Sequence, residues 1–195
     1  MLLSKDICLV GNEILREKCS DVEIPMSEKD IKTLKEMREY LYNGYDEDFV
    51  KKYDIRPGVG LAAPQIGKAL KMLCILAIDE NGDLHDYAIV NPKIISHSVE
   101  LTYLETGEGC LSVPDDYKGY IHRYKRVKVK TYLYDFEKNE LTSQVLSLKG
   151  YLSIVFQHEF DHLNGVLFFD HINKADPFFV PENSTPVVFK KEDEE

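Results

Sequence analysis

Apolar and polar positions along the chain repeat with two different periods. From Ser27 into the 40s, Ile31, Leu34, Met37 and Leu41 recur at helical spacing, behind a Ser27/Asp30 pair that resembles a capping box. Met72 to Asp79 reads as a strand, Glu80-Asn81-Gly82-Asp83 carries the Asn-Gly signal of a hairpin, and Tyr87 to Asn91 leads a further run toward Tyr103. Arg126 to Phe136 alternates apolar and polar residues, the pattern of a half-buried antiparallel strand, and 137–140 turns it into Leu141 to Leu148. Gly150 then opens a second helix, Tyr151 to about Asn164, with Gly165 placed to end it at C′. Asn43 to Pro57 is charged and Tyr-rich and reads as a solvated excursion before a glycine-rich loop at 58–67.

Runs of strands with two helices predict an α+β fold, with antiparallel β-sheets packed around the second helix. The chain shows no internal repeat and no Pro/Gly/Ser-rich linker. Residues 1–189 are therefore expected to form a single catalytic domain, and 190–195, KKEDEE, a disordered acidic tail.

Composition changes this picture little. At 195 residues the chain can bury a proper core, and 44% hydrophobic with 30% charged residues is ordinary for a globular protein. A net charge of −10 argues against an extensive nucleic-acid surface, though not against a small basic patch. No stretch has the length and apolarity of a membrane span, and the N-terminus lacks the features of a signal peptide. Cys8, Cys19, Cys74 and Cys110 form no CxxC pair, which fits reduced thiols in a cytoplasm.

The candidate chemistry lies in Gln157-His158-Glu159-Phe160-Asp161-His162-Leu163-Asn164-Gly165. His158 and His162 are four apart, so on a helix they stack on one face and can share a metal. Glu159 is about 100° around the helix, poorly aimed to ligate but well aimed at a water beside the metal. This HExxH pattern points to a metal-dependent hydrolase, and a catalytic site needs a third protein ligand. The longer peptidase pattern would place a histidine at 168, where this chain has Phe168; the spacing of His171 fits no such pattern, and Glu182 lies in a Pro-rich tail. Cys110, behind Gly109 in Glu108-Gly109-Cys110-Leu111-Ser112, is the better third ligand. The helix alone leaves two rivals open: a metallopeptidase, and a closed structural metal site.

Three segments together, GVGLAAPQIG at 58–67, EGCLS at 108–112 and QHEFDHLNG at 157–165, resemble the signature motifs of the peptide deformylases. The stretch EDFVKKYDIRPGVG, Tyr151 and the FFDHINKADPF ending resemble the type 2 branch of Gram-positive bacteria and their relatives. The resemblance implies removal of the N-formyl group from the initiator methionine of nascent polypeptides. Carried over residue by residue, it implies that Cys110, His158 and His162 bind the metal and that Glu159 is the general acid/base. It gives the oxyanion hole to the Gln65 side chain and the Leu111 N–H. Ferrous iron is the implied cellular metal, with zinc, nickel or cobalt as alternatives in purified protein. The implied partners are nascent formyl-methionyl peptides, met at the ribosome near its exit tunnel.

The peptide is expected to lie along Val59, Gly60 and Gly109 as an added strand. By analogy with the family, Tyr151, Ile154 and Val155 line the methionine pocket, and their spacing puts them on one helical face with His158. Plainer readings stand beside these. Gln65 could cap backbone groups near Pro64, the glycines could be turn residues, and the three apolar residues could be core.

Overall fold

The segment Met72–Ile78 is buried over nearly its whole length, and that decides the layers. In the computed structural model, which describes residues 1–190, this segment is β2. The other elements are α1 (Glu28–Asn43), α2 (Glu47–Tyr53), β1 (Gly60–Ala62), β3 (Leu84–His97), β4 (Leu101–Tyr103) and β5 (Arg123–Tyr124). They continue with β6 (Arg126–Asp135), β7 (Glu140–Lys149), α3 (Gly150–His162) and β8 (Ser184–Pro186). A five-stranded antiparallel sheet runs β1-β2-β3-β6-β7, and a three-stranded sheet runs β5-β4-β8 with β4 and β8 parallel.

Side chains alternate across a strand, so β2 feeds two cores. Met72, Cys74 and Leu76 pack with Leu34, Met37 and Leu41 of α1, whereas Leu73, Ile75 and Ala77 pack with Leu152, Val155 and Phe156 of α3. Cys74 is a core thiol, and all four cysteines are free. Because α3 also touches β4 and β5, it lies between the two sheets. It is buried nearly all round, the condition for a polar site inside the molecule.

The expected helix ends are found. The Asp30 N–H donates to Ser27 Oγ at 3.1 Å, capping α1. At the other end of α3, the Val166 N–H reaches Asp161 O at 3.0 Å and the Gly165 N–H reaches His162 O at 3.3 Å. Gly165 has φ +72°, so this is a Schellman motif with glycine at C′. The N-terminus of α3 has no local cap. Glu80, from the β2–β3 turn, accepts the Tyr151 N–H at 3.1 Å instead.

Two readings need correction. The excursion 43–57 holds α2, whose Phe49, Val50 and Tyr53 pack against the α1 core while Ile55 is fully buried. Asp46 caps α2 by accepting from the Asp48 and Phe49 N–H groups, a signal masked by the surrounding charge. The run toward Tyr103 is not one continuation: β3 extends to His97 through register shifts that bend it, and β4 joins the other sheet. Of the expected tail at 190–195, all but Lys190 lie outside the described residues; the Lys190 N–H donates to Glu80 O at 3.1 Å.

A Cβ on Gly165 would stand 2.4 Å from the backbone oxygen of Arg16, whereas one on Gly82, φ +95°, meets nothing within 4 Å among the described residues. Gly82→Ala should therefore cost only the left-handed backbone term, about 1–2 kcal/mol. Gly165→Ala should cost clearly more, because a backbone atom must move. Urea unfolding of both variants tests this, and equal losses would refute the contact.

Candidate metal centre

Three segments deliver the site. The β1 strand runs into a single helical turn, Ala63–Ile66, that presents Gln65; a β-turn at 110–113 presents Cys110 and Leu111; α3 presents both histidines and Glu159. The ligand atoms of Cys110, His158 and His162 all lie within 4.8 Å of one another, and all three residues are buried. Cys110 Sγ is 3.3 Å from His162 Nε2. Buried soft and borderline donors that face one another this closely are the set that holds a transition metal. His162 Nδ1 and Glu159 Oε2 are the buried side-chain polar atoms left without a partner among the described residues.

The second layer of groups was not foreseen. His158 Nδ1 bonds Glu108 Oε2 at 2.8 Å, which turns the other ring nitrogen toward Cys110. Glu108 in turn accepts from Arg123 through two bonds of 2.8 and 2.9 Å. Arg123 also donates to Asp161 at 2.5 Å, and His171 meets the same Asp161 oxygen at 2.7 Å. Burial would raise the Glu108 carboxyl, but Arg123 and His158 outweigh it and hold it at about 2. Glu108 and Asp161 stand inside motifs already marked in the sequence. Arg123 carries no signal there, since its role depends on partners 15 and 38 residues away.

Phe168, at the position where a peptidase would put its third histidine, stacks on the His158 ring with centroids 5.9 Å apart and planes at 22°. His171 serves Asp161 and is not among the clustered ligands.

Glu159 is 4% exposed, and burial pushes its carboxyl up to about 7 against the pull of His158. Gly60 allows this placement: a Cβ there would sit 2.4 Å from Glu159 Oε1. Gln65 is 1% exposed and does two things at once. Its Oε1 accepts the Ala62 N–H at 2.8 Å, as the capping reading anticipated. That bond leaves Nε2 as the donor aimed at Ser112 Oγ, 3.2 Å, and Cys110 Sγ, 3.6 Å.

Two hollows meet at these groups. One, about 110 Å³, is lined by Val59, Leu104, Gly109, Tyr151, Ile154 and Val155 together with Glu108, His158 and Glu159. The other, about 300 Å³, runs past Gly58, Gly60, Gln65, Gly109 and Leu111. Every residue expected at the site thus borders one of these spaces or belongs to the ligand cluster. Tyr151, Ile154 and Val155 line a hollow as well as packing in the core. β1 is an edge strand: among the described residues no strand pairs with its outer side, although the Ala62 N–H is taken by Gln65.

Removing Glu108 would strip His158 of its orienting acceptor and leave Arg123 underpaired. We expect Glu108→Ala to lose about 3–5 kcal/mol of stability and to weaken metal binding by about 10–100-fold. Urea unfolding and chelator competition measure the two; wild-type metal affinity in a folded variant would refute the orienting role.

Known proteins fit this geometry. The family model for polypeptide deformylase matches residues 4–178. "Peptide deformylase 2" of Bacillus anthracis is 51% identical over 187 residues, covering 96% of this chain and 99% of that one. Its counterpart in Geobacillus stearothermophilus is 48% identical over the same length, with the same coverage. Among solved structures, the deformylase of Thermotoga maritima superposes with a TM-score of 0.63 at 36% identity, over 86% of this chain and 96% of that one. That of Thermus thermophilus gives 0.67 at 32% identity, over 87% and 86%. Fold, metal cluster and near full-length identity agree: the chain belongs to the peptide deformylase family, on its type 2 branch, hydrolases that remove the N-formyl group from the initiator methionine of nascent polypeptides.

Proposed function

We propose that this chain hydrolyses the formamide with Glu159 as proton carrier, Gln65 and the Leu111 N–H as oxyanion donors, and Cys110, His158 and His162 as metal ligands. The observation that carries the reading is the buried, unpartnered Glu159 Oε2 in the hollow that the ligand cluster borders. When bound, the metal supplies Lewis acidity that makes water a nucleophile at neutral pH. Glu159 takes the proton of the attacking water and delivers it to the departing amine; a carboxyl raised to about 7 by burial suits both transfers. As the carbonyl oxygen becomes anionic, Gln65 Nε2 and the Leu111 N–H stabilise it, each donor being worth about 3–4 kcal/mol of barrier in comparable sites.

The peptide adds to the free edge of β1 along Val59 and Gly60 and faces Gly109 across the groove. Backbone bonds of this kind disregard side chains, so selectivity falls to the methionine pocket of Tyr151, Ile154 and Val155. Its volume of about 110 Å³ and apolar lining support that assignment. We assign ferrous iron as the cellular metal. One thiolate and two imidazoles also accept zinc, nickel or cobalt. Residues 1–189 act as one catalytic domain in the cytoplasm, meeting their substrate at the ribosome. No helix among the described residues is long and apolar enough to cross a membrane.

Protein purified without oxygen, loaded with Fe(II) and given formyl-Met-Ala-Ser, should release formate and leave internal peptide bonds intact. Cutting of internal bonds without formate would overturn the reading. Glu159→Gln should keep its metal and lose about 10²–10⁴ in kcat, while Cys110→Ala should lose the metal. Full metal content and turnover in Cys110→Ala, measured by elemental analysis and formate assay, would remove Cys110 from the ligand set.

A further inference from the structure

Arg56 has an unusual use of its charge. Its backbone is pinned on both sides: the N–H donates to Ser4 Oγ at 2.8 Å, and the C=O accepts the hydroxyl of buried Tyr40 at 3.0 Å. The guanidinium then crosses to the 110–113 turn. Nη1 donates to Leu111 O at 3.0 Å and Nη2 to Cys110 O at 3.4 Å. Among the described residues Arg56 has no carboxylate within salt-bridge reach, so this fork serves two neutral carbonyls. Leu111 is held from a second side as well, its side chain lying against Gly58.

The peptide unit between Cys110 and Leu111 is the one that matters. Its oxygen accepts two donors, the Val113 N–H at 3.2 Å and the Arg56 guanidinium. Its nitrogen carries the Leu111 N–H, which has no acceptor among the described residues and borders the larger hollow. Hydrogen bonds polarise one another through a shared peptide group, and a cationic donor polarises more strongly than a neutral one. Drawing electrons toward the oxygen makes the N–H on the same unit a stronger donor. We propose that Arg56 is a positioning residue that aims and strengthens the Leu111 N–H for the oxyanion. The proposal rests on the reading of that N–H as an oxyanion donor. Because negative charge on the carbonyl oxygen develops only toward the transition state, the effect falls on kcat rather than KM.

The test uses full-length, zinc-loaded, ¹⁵N-labelled protein with two readouts: kcat and KM on formyl-Met-Ala-Ser, and the proton shift of the Leu111 amide without substrate. Arg56→Ala should lower kcat about tenfold, less than the loss of a whole oxyanion donor, with KM essentially unchanged. The Leu111 amide proton should move upfield, and millimolar guanidinium should restore part of kcat. Arg56→Lys, which keeps the charge but cannot span two carbonyls, should fall between, and it carries both readouts if the alanine variant does not fold. A raised KM with unchanged kcat would overturn the proposal and make Arg56 a substrate contact. A kcat loss that only tracks lost metal or a lowered Tm would overturn it in favour of a plain structural role, and an unmoved Leu111 shift would overturn the polarisation itself. A moved shift with unchanged kcat would instead overturn the oxyanion reading of Leu111, and the proposal with it.

Discussion

A helix that carries two imidazoles and two carboxylates into an apolar interior is tolerable only if its charges are answered there. In this fold the answer is Arg123. Its guanidinium, nearly inaccessible to water, bridges Glu108 and Asp161, and a buried cation deprived of a partner would cost several kcal/mol. The constraint is geometric as well as energetic. It ties β5, the loop before the 110–113 turn, and α3 into one rigid unit, and Asp161 adds the turn at 168–171 through His171. The loop that contributes a metal ligand at Cys110 contributes, two residues earlier, the carboxylate that aims another ligand, His158.

How much of this was legible in the sequence divides along sequence distance. Helical spacing at 31, 34, 37 and 41, the Asn-Gly turn and the cap at Gly165 are local signals, and the chain obeys them. The ligand triad was legible because two members share a helix and the third lies in a short motif with few competing cysteines. Arg123 was invisible: a two-residue strand announces nothing, and its partners are chosen by tertiary folding. Charge around Phe49, Val50 and Tyr53 hid α2, a seven-residue helix whose apolar face becomes recognisable only against the α1 core. The pocket residues were ambiguous for a physical reason, since a residue can line a hollow on one side and fill the core on the other, as Ile154 and Val155 do.

The two faces of β2 explain why the site can be both buried and reachable. One face anchors α1, the other α3, so the helix bearing the metal ligands is fixed by the same strand that fixes the outer layer. β1, beside β2, shares that duty, with Leu61 in the α1 core and Ala62 in the α3 core. Only Gly60 is left without a side chain there, and it presses directly on Glu159, so the strand's backbone reaches that buried carboxylate with nothing in between.

The open side of β1 has a further consequence. An unpaired strand edge is a standing invitation to other chains, and proteins commonly blunt such edges with charge, proline or cover. An edge proposed to receive a substrate cannot be blunted in those ways. Here the hazard is contained by dimension: β1 is three residues long, bounded on one side by the Arg56-Pro57-Gly58 segment and on the other by the turn that carries Gln65. That length can grip the flexible end of one extended chain, yet it is too short to template the sheet-to-sheet growth by which exposed edges aggregate.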